Sequence, residues 1–145
     1  MPTTTATISV TNDIASSSIS TTASMTLLKA GSATLGMDTM TSVTKILSST
    51  DQVDLIGFGA AGSTGSTGHN FLYINNPSTN PAEFFTLALG DDPQGSSADS
   101  TDEELGRLYG GQWMMIPWSA VDANYDIMIA PSVATEMTVE YMIFS

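Results

Sequence analysis

The chain's one imidazole, His69, follows the glycine-rich stretch Gly57 to Gly68. A histidine acting as a general base needs an orienting carboxylate and a nucleophile in reach. Serine and threonine supply 39 of the 145 residues, so a hydroxyl near His69 says little. No Gly-x-Ser-x-Gly elbow is present either. His69 is therefore read as a loop histidine, and the chain is not read as an enzyme. The glycine stretch lacks both the Gly-Lys-Ser/Thr ending and a nearby cation, so it reads as a long hairpin tip rather than a phosphate loop.

A second group with chemical potential is the acidic loop holding Asp91, Asp92, Asp99, Asp102, Glu103 and Glu104. Hard oxygen ligands of this kind suit calcium. The spacing matches no EF-hand, and solvated acidic loops are common, so no metal and no cofactor is expected. Thr101-Asp102-Glu103-Glu104 has capping-box spacing, which predicts one helical turn there. Trp113, Trp118 and Tyr125 have the shape to stack on a sugar, provided that they face solvent. The same carboxylates could serve glycoside hydrolysis, but the loop carries no aromatic residue to line a sugar cleft.

Composition narrows the field further. Three basic residues against fifteen acidic ones leave a formal charge of −12, which opposes binding to nucleic acid or to anionic membrane surfaces. With no cysteine there are neither disulfides nor thiolate metal sites. Met1-Pro2-Thr3 opens a polar stretch without a basic and apolar leader, so no signal peptide is expected. No apolar run approaches the roughly 20 residues that span a bilayer. At this length the expectation is a single domain over 1–145, with 1–18 as an N-terminal arm or edge strand.

The elements that must carry these residues are strands. Ile19, Thr21, Ala23, Met25 and Leu27 alternate with Ser20, Thr22, Ser24 and Thr26, and Ala6, Ile8 and Val10 alternate likewise. Further strands fit 42–48 (Val43, Lys45 and Leu47 on one face), 53–59, 71–75, 83–89, 108–116, 125–130 and 137–144. The short gap between the strands at 71–75 and 83–89 predicts a hairpin. Some eight or nine short strands bounded by Gly, Pro, Asn and Asp give an all-β fold, an antiparallel β-sandwich or jelly roll. The first aromatic is Phe58, so the large core residues are sought among Phe71, Phe84, Phe85, Trp113, Trp118, Tyr125, Tyr141 and Phe144. Met114, Met115, Met128, Met137 and Met142 crowd the last strands, which are apolar on both faces. The first reading of these methionines is adaptable core filling. Because a lone two-layer sandwich does not require both faces apolar, Met114, Met128 and Met142, with Ile8 and Val10, are also interface candidates.

Leu105-Gly106-Arg107-Leu108-Tyr109-Gly110-Gly111-Gln112-Trp113-Met114-Met115-Ile116-Pro117-Trp118, the stretches Tyr125 to Ala130 and Thr138 to Phe144, and Phe71-Leu72-Tyr73-Ile74-Asn75-Asn76 together carry a pattern. Over residues 40–145 it resembles small β-sandwich virion proteins of tailed phages. The resemblance implies a non-enzymatic structural part of a particle. The expected role is a capsid decoration or cement protein on the outer head surface, bound to the major capsid protein or another virion protein. A tail or neck accessory is the alternative, and a carbohydrate-binding or adhesion module the reading from another class. It also implies a homo-oligomer, with three-fold order expected because decoration proteins often occupy three-fold sites.

Overall fold

The computed structural model describes residues 3–12, 19–29, 32–57, 70–90, 103–118 and 125–145. All its regular structure there is β, in ten strands, with no helix among the described residues. They are β1 (Thr4–Asn12), β2 (Ile19–Leu27), β3 (Met40–Leu47), β4 (Val53–Ile56), β5 (Asn70–Asn75), β6 (Phe84–Gly90), β7 (Glu103–Tyr109), β8 (Trp113–Trp118), β9 (Asp126–Pro131) and β10 (Met137–Phe144). The chain divides into two compact units, Met1–Asp38 and Thr39–Ser145.

The first unit is built on an antiparallel ribbon of β1 and β2. Its register explains the alternation in the sequence. Ala6, Ile8 and Val10 face the same way as Met25, Ala23 and Thr21, while Thr5, Thr7, Ser9 and Thr11 share the other face with Thr26, Ser24, Thr22 and Ser20. On that polar face the hydroxyls of Thr7 and Ser24 meet at 2.7 Å. The chain then folds back along the end of β2, where Met37 N donates to Leu27 O at 2.9 Å and Lys29 pairs with Asp38 at 2.7 Å.

The second unit is a sandwich of two four-stranded sheets, β3–β10–β5–β8 and β4–β9–β6–β7. Of its eight strands the first pairs with the last, the second with the seventh, the third with the sixth and the fourth with the fifth. A chain doubled into one long hairpin and then wrapped gives this order, which is that of a jelly roll. Every strand contributes to the core between the sheets: Leu47, Leu55, Leu72, Ile74, Phe85, Leu87, Leu108, Trp118, Ile127, Ile129, Val139 and Ile143 are all buried there. Lys45 crosses from one sheet to the other, its Nζ donating to Asp54 O at 2.7 Å.

Several expectations change on contact with this topology. The stretch 108–116 is two strands, because Gly110-Gly111 turns the chain between β7 and β8, with Gly111 at φ +78°. Glu103 and Glu104 extend β7 instead of beginning a helical turn, since the ladder with Leu89 and Ala88 satisfies their backbone in place of a capping box. Thr101 and Asp102 lie outside the described residues. β5 and β6 form no hairpin. They belong to opposite sheets, and residues 76–83 carry the chain across. Of the eight aromatic residues sought as core, Phe85 and Trp118 are buried, while Trp113 and Tyr125 are exposed. The other four sit at intermediate depth because alternation turns Phe71, Phe84 and Phe144 to the outer sheet faces and leaves Tyr141 at the core's margin.

Candidate functional site

Asn76 follows the last residue of β5 and holds the crossing in place. Its side chain is fully buried, with Nδ2 donating to Leu108 O at 3.0 Å and Oδ1 accepting from Ser78 N at 3.1 Å. Its backbone N donates to Gln112 O at 3.0 Å, and its carbonyl accepts from Gly111 N at 2.9 Å. One residue thus ties the end of β5 to Leu108 on β7 of the other sheet and to the turn that joins β7 to β8. Gly110 fits beneath the 76–83 segment because a Cβ there would strike Asn80 O and Ser78 O.

With that corner fixed, the register of the β3–β10–β5–β8 sheet decides what its outer face presents. Met40, Phe144, Phe71 and Pro117 form one row across the four strands. Ser42, Met142, Tyr73 and Met115 form the next, followed by Thr44, Glu140, Asn75 and Trp113. Ile46 and Thr138 continue the surface on β3 and β10. Met40 is 59% exposed, Ile46 61% and Trp113 49%. The Trp113 and Tyr73 rings lie 5.9 Å apart in a tilted contact. Glu140 is the sole charged side chain in these rows, and Asn75 Nδ2 donates to it at 3.0 Å. This is a wide apolar face on the solvent side of a sheet.

The ribbon of the first unit presents a second such face. Ile8 is 43% exposed, Val10 53% and Met25 48%, and neither strand carries a charged residue. Of the interface candidates, Ile8 and Val10 are exposed on this ribbon, and Met142 stands in the middle row of the sheet's outer face. Met114 instead turns inward and packs against the sandwich core. Met128 is fully buried and offers no surface. Pairing by period two gives which residues share a face, but it does not tell which face is the inner one; that requires the order of strands in the sheets.

Few of the candidates for chemistry fall within the described residues. His69, Asp91, Asp92, Asp99 and Asp102 lie outside the described residues, and Glu103 and Glu104 are exposed on β7. Among the described residues no three His, Asp or Glu side chains cluster as metal ligands would. Each basic residue has a structural use: Lys29 pairs with Asp38, Lys45 reaches Asp54 O, and the Arg107 guanidinium sits 4.7 Å from the Phe84 ring centre. A shallow cleft of roughly 260 Å³ opens between edge strands β7 and β8, lined by Leu87, Leu105, Arg107, Leu108, Gln112 and Met114 among others. Gln112 Oε1 is already engaged there by Tyr109 N at 3.0 Å. No helix among the described residues is long and apolar enough to cross a membrane.

No known family model matches this chain, and neither does any curated protein sequence. Among solved structures, the crystal structure of Yersinia pseudotuberculosis-derived mitogen is similar to it at 16% identity, covering 73% of this chain and 85% of that one, with a TM-score of 0.42. At that level the likeness carries no argument about function.

Proposed function

We propose that this chain is a non-enzymatic structural protein of a virus particle, a decoration or cement protein seated on the major capsid protein at the outer surface of a tailed-phage head. The observation that carries the reading is the ribbon. A two-stranded hairpin is marginal in water unless its apolar side is covered. Here that side, with Ile8, Val10 and Met25, is exposed over roughly 14 Å, from the Ala6–Met25 pair to the Val10–Thr21 pair, beyond the buried Leu27 on the same face. An uncharged arm of this kind gains its burial from a neighbour, which is how a lattice-bound protein is held. The jelly-roll strand order of the second unit supports the same reading, since viral capsid domains use that fold, as lectins do. The charge of −12 also suits the outside of a head better than a lumen packed with DNA.

The test is binding of the full chain to heads stripped of it. Ile8→Asp with Val10→Asp should abolish binding while leaving the circular dichroism unchanged. Thr7→Asp, on the polar side of the same ribbon, should leave binding intact. Equal binding by all three proteins refutes the arm. A second reading, a carbohydrate-binding module, draws on the exposure of Trp113 and Tyr125, and a glycan array probed with wild type and Trp113→Ala separates it from the first.

A further inference from the structure

The outer face of the β3–β10–β5–β8 sheet is not the polar surface that a free-standing antiparallel sandwich turns to water. We infer that this face is a self-association surface, covered by the same face of a second copy about a two-fold axis. The inference is independent of the particle assignment, which rests on the ribbon.

Charge comes first. Two copies that each carry −12 repel one another, so they meet through surface that lacks acids. Twelve residues make up the three full rows of this face, and Glu140 is the one acid among them, its carboxylate already held by Asn75. Size comes second. Four strands at about 4.8 Å spacing, two of eight residues and two of six, give a flat footprint near 450 Å², so a face-to-face pair covers about 900 Å² in total. That is close to the roughly 1,000 Å² of a lasting contact. Composition comes third: Phe71, Tyr73, Trp113, Met115, Met142 and Phe144 are the aromatic and methionine side chains that concentrate at the centre of interfaces. A sheet face that meets its own copy does so isologously, which makes a dimer the expected unit. Three-fold order would need this face to meet a different surface.

The experiment uses the full chain without particles, in sedimentation equilibrium from about 1 µM to about 1 mM. Wild type should form dimers within that range. Met142→Glu, which sets a charge in the middle row, should weaken association by roughly tenfold or more with the same circular dichroism and melting curve. Thr7→Glu, on the ribbon's polar side, should dimerise as wild type does. The chain has no cysteine, so Ser42→Cys adds an independent reading: its thiol should react more slowly at dimer-forming concentration. Wild type that stays monomeric across the range overturns the inference, as does a wild-type oligomer that Met142→Glu leaves intact. If the free protein is monomeric and Met142→Glu loses particle binding, the face belongs to the shell protein and self-association is refuted while the particle assignment stands.

Discussion

Replacing Asn76 tests whether one buried amide joins the two sheets. Its side chain makes one hydrogen bond to the other sheet, to Leu108 O at 3.0 Å, and one within the crossing segment, from Ser78 N at 3.1 Å. Each contributes about 1 kcal/mol, and Asn76→Ala also leaves the Leu108 carbonyl without that partner in a buried place, which costs at least about 1 kcal/mol more. The expected loss is about 3 kcal/mol, or a fall of roughly 6–12 °C in Tm for a chain of this size. Asn76→Asp sharpens the test. Its carboxylate still accepts from Ser78 N, but it cannot donate to Leu108 O, and burial disfavours its charge. The folded state therefore raises the pKa of the introduced carboxyl above its unfolded value. Stability is then fully present below the unfolded pKa of about 3.9 and is lost as pH rises through the folded one. Urea unfolding at pH 5 and pH 8 should show Asn76→Asp no better than Asn76→Ala at the higher pH and partly recovered, relative to wild type, at the lower. An Asn76→Ala protein within about 0.5 kcal/mol of wild type would refute the role, because that is the range of an ordinary surface substitution.

Trp118→Ala should cost on the order of 3–5 kcal/mol in the same assay, since the ring is buried and its Nε1 donates to Tyr125 O at 2.8 Å. Gly110→Ala should lower Tm more than Gly111→Ala does. The first drives a Cβ into the Asn80 and Ser78 carbonyls, whereas the second meets no atom and bears only the strain of φ +78°, about 1–2 kcal/mol. Burial holds the Tyr141 phenol above its ordinary pKa of 10.0, so its contribution is present below that pH and fades as pH climbs further. Unfolding midpoints measured from pH 8 to pH 11 should fall less steeply for Tyr141→Phe than for wild type.

Strand positions were legible because period-two alternation is a local property of the chain. Val43, Lys45 and Leu47 share a face as their spacing implies, and the Ile19–Leu27 run is a strand over the range its pattern predicts. Pairing partners were not legible. The gap from Asn76 to Glu83 is as suitable for a hairpin as for a crossing, and what decides it is the buried Asn76 amide with its long-range acceptor Leu108 O. The same holds for the aromatic residues. Trp113 and Trp118 stand on one short strand an odd number of residues apart, so one must face out, and only the assembled sheets show that it is Trp113. The apolar character of both faces of the C-terminal strands could be read directly. Its extension over β3 and β5 into one continuous surface needed the strand order.

The proposed role is that of a part of a virus particle, held there by apolar contact. Its most direct test is a density gradient of particles from the native source, washed at about 1 M salt, where the Debye length is about 3 Å and ion-paired contacts are screened. The fractions are then probed by mass spectrometry for this chain. The account predicts that the chain bands with intact heads before and after the wash, at constant stoichiometry to the major capsid protein. A chain that stays at the top of the gradient, with no particle-bound fraction at any salt concentration, would contradict it.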